Sequence, residues 1–98
     1  MLLTNYKEFG GDSNRSITER FHSQKYEEQD RILSFMKTKG DEISIGGRVT
    51  DIINGNTIGN RITKKYGRYV WSSDLEYYVE KYNFRPNEEF INFVLKHS

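Results

Sequence analysis

The side chains able to perform acid, base or metal chemistry are few in this sequence. His22 and His97 are its two histidines, and neither has an Asp, Glu or His four residues further on that would complete a metal-binding pair. Cysteine is absent, which excludes a thiolate metal site, a disulfide framework and a cysteine nucleophile. We therefore expect each histidine to have a structural or incidental role, and we predict no metal and no cofactor.

Two further patterns resemble catalytic or phosphate-binding motifs. Asp51 with Glu76 or Glu80 would supply carboxylates for a metal-dependent nuclease, but a chain with fourteen acidic residues contains such sets by chance. The glycine runs 46–47 and 55–59 lack the Gly-Lys-Ser/Thr ending of a phosphate loop, so turns and bulges explain them better. The sequence therefore predicts a protein that is not an enzyme.

A basic run is the first candidate binding surface. Its cations are Arg61, Lys64, Lys65 and Arg68, and tyrosines lie between and beside them. Such a mixture can contact a nucleic-acid backbone and stack on bases. However, fifteen Lys and Arg against fourteen Asp and Glu give a net charge of only +1, which argues against a protein that neutralises many phosphates. The favoured interpretation is that these cations protect a hairpin edge from pairing with other strands.

An acidic stretch near the C-terminus is the second candidate. Glu76 and Glu80 are like charges four residues apart, an arrangement that costs a helix a few tenths of a kcal/mol, and Tyr77 falls outside the apolar stripe beside them. An exposed tyrosine flanked by carboxylates suits contact with a basic partner protein. We therefore predict a partner-binding site at Glu76, Tyr77 and Glu80.

Length and composition define the elements that must position these residues. The 98 residues are enough for one domain, taken as 1–98, and too few for two independent cores. Aromatic residues make up 14% of the chain, so we expect an aromatic-rich core. There is no signal-peptide pattern and no apolar run long enough to span a bilayer, so we expect a soluble, cytoplasmic protein with no membrane partner.

The first half of the chain changes from helical to strand-like patterns. A short apolar start is read as a docked segment followed by a loop at residues 10–14. Apolar spacing predicts helical structure from Ser16 to Lys39, ended by a left-handed Gly40. Four short β-rich segments follow, separated by glycine-containing turns, and indicate an antiparallel meander: 43–45, 49–53, 57–63 and 68–71.

Two helices are predicted after the strands. Ser73 and Glu76 have the spacing of a capping box, and the apolar stripe of the helix that follows predicts an end at Asn83. Pro86 suits the first turn of a second helix. Trp71 is expected to be buried where the last strand meets the first of these helices. Together the elements predict an α+β domain in which three or four antiparallel strands pack with N-terminal helical structure and two C-terminal helices.

Residues 48–96 resemble a group of small, largely uncharacterised bacterial proteins often encoded near polymorphic toxins. The resemblance is carried by a strand and turn, a hairpin with an aromatic-Trp pair, and two final helices: 51–53 and 58–60, then 66–75, 77–83 and 86–91. The chain departs from the group's usual Asp-Gly and Leu-Pro pairs, having Tyr66-Gly67 and Arg85-Pro86. The resemblance carries no catalytic motif and implies an immunity-type, toxin-neutralising role.

The function predicted from the sequence is non-catalytic protein binding, most concretely as an immunity-type inhibitor of a bacterial toxin. The alternatives are a small nucleic-acid-binding protein that uses the basic hairpin at residues 61–69, and a phage-encoded inhibitor of host defence. The neutral overall charge favours a protein partner over nucleic acid.

Overall fold

The computed structural model describes residues 2–10 and 13–97, so part of the predicted loop at residues 10–14 lies outside the described residues. Three helices and three strands follow one another in the order helix, sheet, helix, helix, which confirms the predicted α+β class. They are α1 (Gln29–Lys39), β1 (Asp41–Thr50), β2 (Thr57–Tyr66), β3 (Tyr69–Ser72), α2 (Ser73–Tyr82) and α3 (Glu88–His97). None of the described helices is long and apolar enough to cross a membrane.

The sheet is antiparallel with the order β1-β2-β3. Two of the predicted segments merge into the single strand β1, which continues through three irregularities in its pairing, near residue 43, at residues 46–47 and between Val49 and Thr50. Ile52 and Ile53, which were predicted as strand, instead lie in the loop between β1 and β2. Gly67 has a φ of 58° in the tight turn that pairs Tyr66 with Tyr69, as its turn signal predicted.

The N-terminal helical region is shorter than predicted. A short 3₁₀ helix at Ile17–Arg20 begins with a capping box between Ser16 and Glu19, and α1 starts only at Gln29. Gly40 is extended, with a φ of −74°, so its predicted left-handed conformation is wrong. Glycine is needed there for space, because a Cβ would lie 2.6 Å from Trp71 Cζ2.

Two predicted helix starts are also corrected. Ser73 does not cap α2; its hydroxyl instead accepts the Ile62 amide at 3.0 Å and donates to the Asn60 carbonyl at 3.2 Å, which ties the helix start to β2. Pro86 lies before α3 rather than in its first turn, and the Asn87 side chain accepts the Phe90 amide at 2.9 Å. The predicted end of α2 at Asn83 is confirmed by its left-handed φ of 56°.

The core lies between the Tyr69–Trp71 face of β3 and the helices. Trp71 is fully buried, as predicted, and its ring centroid lies 5.9 Å from Phe90 on α3 and 6.4 Å from Phe35 on α1. The N-terminal segment follows the outer side of β3, where the Leu3 amide donates to the Val70 carbonyl at 2.8 Å. Six buried aromatic residues confirm the predicted core character: Phe35, Tyr69, Trp71, Tyr78, Phe84 and Phe90.

Candidate functional site

The predicted acidic surface is wrong in its first member, Glu76. This residue is only 5% exposed and packs inside the domain. Its carboxylate accepts the Trp71 indole N–H at 2.8 Å, and the Lys64 ammonium lies 2.9 Å from the same oxygen, Oε2. A carboxylate with these buried partners supplies no charge to a surface.

Tyr77 and Glu80 lie where α2 approaches other parts of the chain. Tyr77 is half-buried, and its hydroxyl donates to Asp51 at 2.6 Å. Glu80 is exposed and forms an ion pair with Lys37 of α1 at 3.2 Å. The three predicted partner-binding residues thus face different neighbours and do not form one surface. A partner contact at Glu80 stays a prediction.

The basic run is also divided by the fold. Arg61 binds Asp74 through two nitrogens, at 3.1 and 2.8 Å from Oδ2, and Lys64 is buried against Glu76. Lys65 and Arg68 are exposed, with Arg68 paired to Glu89 of α3. All but Arg68 lie on β2, the central strand, so the interpretation that they protect a sheet edge is wrong for those three.

Asp51, directly after β1, has a carboxylate that accepts hydrogen bonds from four different residues. The residue is 1% exposed. Its Oδ2 accepts the hydroxyls of Tyr77 and Tyr82, each at 2.6 Å. Its Oδ1 accepts the backbone amides of Ile53 at 2.7 Å and Asn54 at 3.2 Å. One carboxylate therefore fastens the loop that follows β1 to two side chains of α2.

These contacts change the acidity of the groups involved. Burial opposes ionisation of Asp51, but the hydrogen bonds from Tyr77 and Tyr82 and from the two loop amides outweigh it and lower the pKa of Asp51 to about 2. The same bond to Asp51 raises the pKa of Tyr82 to about 12. The arrangement therefore favours the ionised form of Asp51 and the neutral form of Tyr82.

We expect Asp51 to contribute a pH-dependent part of the stability. A carboxyl pKa of about 2 in the folded state, against an ordinary 3.8, gives a contribution that is fully present above pH 3.8 and is lost as the pH falls through about 2. The difference in unfolding free energy between wild type and Asp51→Asn should therefore shrink in that range. Urea denaturation from neutral to acidic pH measures it.

A matched control for this experiment is Asp41→Asn on β1, which makes the same change at an exposed carboxylate. The unfolding free energy of Asp41→Asn should have the same pH dependence as that of wild type. A constant difference between wild type and Asp51→Asn at every pH would show that the ionised form is not the one that holds the loop.

Residues 51–56, here called the isoleucine loop, present two adjacent apolar side chains to solvent. Ile52 is 39% exposed and Ile53 is 57% exposed. Their backbone is nonetheless fixed: the Ile52 amide donates to the Tyr78 hydroxyl at 3.1 Å, and the Gly55 amide donates to the Asp51 carbonyl at 2.8 Å. Sequence reasoning missed this site because the apolar run ending in Ile53 was assigned to a strand, although Asn54-Gly55 correctly marked the turn.

A cleft of mixed charge lies beside the isoleucine loop. It has a volume of about 280 Å³, and Ile52 lines it together with two bases, Arg48 and Arg61, and two acids, Glu8 and Asp74. The Lys81 ammonium lies 5.6 Å from the ring centroid of Tyr77 and 5.9 Å from that of Tyr82, the two tyrosines that bind Asp51. The charged groups around the site are therefore of both signs.

Metal-binding clusters of three or more His, Asp or Glu side chains are not found among residues 2–10 and 13–97. The nuclease set considered from the sequence does not assemble, since Asp51 is held by tyrosines and Glu76 by Lys64 and Trp71. His97 stacks on Phe93 with ring centroids 4.1 Å apart. His22 is exposed, and its carbonyl accepts the Asn83 amide group at 3.0 Å.

The fold and this site define a small α+β domain with a hydrogen-bonded loop that exposes two adjacent isoleucines. Comparisons of the chain with models of protein families, with curated proteins and with solved structures gave no match.

Proposed function

We propose that this chain is a non-catalytic protein-binding module that contacts its partner through the isoleucine loop. The observation that carries the proposal is the exposure of Ile52 and Ile53 on a backbone fixed by Asp51 and Tyr78. An immunity-type inhibitor of a bacterial toxin is the most concrete form of this function. An inhibitor of a host defence protein would use the same contact.

The rigidity of the loop favours binding because ordering a flexible segment costs affinity. Fully burying an isoleucine side chain contributes about 1.5–3 kcal/mol, and loop ordering at an interface offsets part of such gains. Here the four hydrogen bonds to Asp51 already fix the loop in the free protein. The loop therefore needs little further ordering when it binds.

The apolar side chains of the loop define the chemistry of the partner. Glu76 is buried and Glu80 is paired with Lys37, so the acidic surface predicted from the sequence is not available in the predicted form. We therefore propose an apolar pocket on the partner, in place of the basic surface predicted from the sequence. Nucleic-acid binding is not proposed, because Arg61 and Lys64 are engaged by Asp74 and Glu76.

The test compares recovery of partners from the cell of origin by wild type, by Ile52→Ser/Ile53→Ser and by Leu2→Ser. Leu2 is a matched control, since it is 52% exposed and lies at the opposite edge of the sheet. We expect one protein to be recovered by wild type and Leu2→Ser and to be lost with the loop variant, because truncation of central apolar contacts typically costs about 2 kcal/mol or more.

The recovered protein is then purified, and its binding kinetics are measured with all three forms. Growth arrest by the partner alone, relieved by co-expression of wild type but not of the loop variant, would support the toxin-inhibitor form. Equal affinity for all three forms would contradict a contact through the isoleucine loop.

A further inference from the structure

The free edge of the sheet is β1. Among the described residues, β1 pairs with β2 alone, whereas the outer side of β3 is covered by the N-terminal segment at Leu2 and Leu3. Nine of the ten residues of β1 are exposed, including Ile43 at 56% and Ile45 at 71%. An exposed strand with unpaired backbone groups and apolar side chains is a template for pairing with another strand.

The pairing of β1 with β2 places Glu42 and Arg48 symmetrically about Ile45. Ile45 lies opposite Ile62, Glu42 lies opposite Lys64, and Arg48 lies opposite Asn60. Two of the three irregularities in this pairing fall between Glu42 and Arg48. As a result, the β2 residues opposite Glu42 and Arg48 are each two positions away from Ile62, the residue opposite Ile45. Since directly opposite residues share a face, Glu42, Ile45 and Arg48 lie on one face of the sheet.

The two charges on this face have no partner of their own. The side chains of Glu42 and Arg48 take part in no hydrogen bond or ion pair within the described part of the chain. The nearest opposite-strand cation to Glu42, Lys64, is already bound to Glu76. An acid, an isoleucine and a base therefore stand in a row, with the isoleucine at the centre.

We propose that a second copy of this chain pairs antiparallel with β1 about a two-fold axis at Ile45. Under this symmetry Glu42 of each copy faces Arg48 of the other, and the two Ile45 side chains meet on the axis. The contact is self-complementary, as a two-fold interface must be, and it joins two three-stranded sheets into one of six strands. It uses residues of β1 rather than the isoleucine loop, so each dimer leaves two loops free.

Charge reversal distinguishes this pairing from other modes of association. Glu42→Arg places Arg against Arg at two symmetric positions, and Arg48→Glu places Glu against Glu; we expect either change to raise the dimer dissociation constant about tenfold or more. The double variant Glu42→Arg/Arg48→Glu restores opposite charges and should dimerise like wild type. An equimolar mixture of the two single variants should form a mixed dimer for the same reason.

The measurement is sedimentation velocity of the full chain from low to high micromolar concentration, with circular dichroism to confirm that each variant is folded. Glu27→Arg, on the exposed loop before α1, is the matched charge-reversal control and should dimerise normally. Ile52→Ser/Ile53→Ser should also dimerise normally, so failure of the proposed function leaves this result unaffected.

Three outcomes would overturn the proposal. Wild type that stays monomeric throughout would mean that the irregularities and charges of β1 protect the edge from pairing. A dimer insensitive to both single reversals would place the contact elsewhere. If both single variants lose dimerisation and neither the double variant nor the mixture recovers it, the two-fold register at Ile45 is excluded.

Discussion

Trp71→Ala is expected to lower the free energy of unfolding by about 3–5 kcal/mol, the usual cost of removing a large buried aromatic side chain. The indole is fully buried between Phe35 of α1 and Phe90 of α3. Its N–H also satisfies Glu76, whose carboxylate would lose that bond. The variant therefore creates a cavity and weakens the bonding of a buried charge.

Urea denaturation followed by far-UV circular dichroism measures this effect, since the variant lacks the only tryptophan. A domain of this size has about 5–15 kcal/mol of stability, so the variant could be largely unfolded. Trp71→Phe retains a buried aromatic ring and should therefore lose less stability than Trp71→Ala. An unchanged midpoint and slope for Trp71→Ala would contradict the packing described for the core.

Glu76→Leu is expected to cost about 3–5 kcal/mol, because it leaves the Lys64 ammonium buried without its counter-charge. The side chain of Lys64 is 11% exposed and that of Glu76 is 7% exposed. The change also removes the acceptor of the Trp71 N–H. Helix propensity alone would predict no loss of stability, since leucine is a good helix former.

The same helix offers the control. Glu80→Leu makes the same change one turn later at an exposed position, and it should alter stability by about 0.5 kcal/mol or less. Lys64→Met/Glu76→Leu should recover part of the loss, because it removes the unpaired buried charge but still leaves the Trp71 N–H without its acceptor. Equal effects of Glu76→Leu and Glu80→Leu would contradict the burial of Glu76.

Local patterns predicted most of the elements. The α+β class, the turn at Gly67, the end of α2 at Asn83 and the burial of Trp71 follow from residues that fix backbone conformation or carry large apolar area. The helix starts were less accurate: Ser73 has the spacing of a cap, but its hydroxyl bonds to β2. Such a contact depends on a strand eleven or more residues earlier in the chain.

For the candidate sites too, local patterns failed where contacts with distant parts of the chain decide the outcome. Glu76 and Tyr77 lie outside the apolar stripe of α2, which predicts exposure for a helix packed on one side only. In the structure α2 has neighbours on several sides, with Lys64 and Trp71 around Glu76 and Asp51 beside Tyr77. The apolar periodicity of a helix does not indicate contacts of this kind, made by residues outside its apolar stripe.

The sequence by itself determined the class of fold, the absence of thiol chemistry and the places where the chain turns, because these depend on composition and on the conformational limits of single residues. Only the tertiary structure decided which charges remain accessible. Lys64 and Glu76 neutralise each other across 12 residues, and Asp51 reaches Tyr82 across 31. The physical reason is that a charge in a folded chain is removed from the surface by partners distant in sequence, whose approach is set by packing.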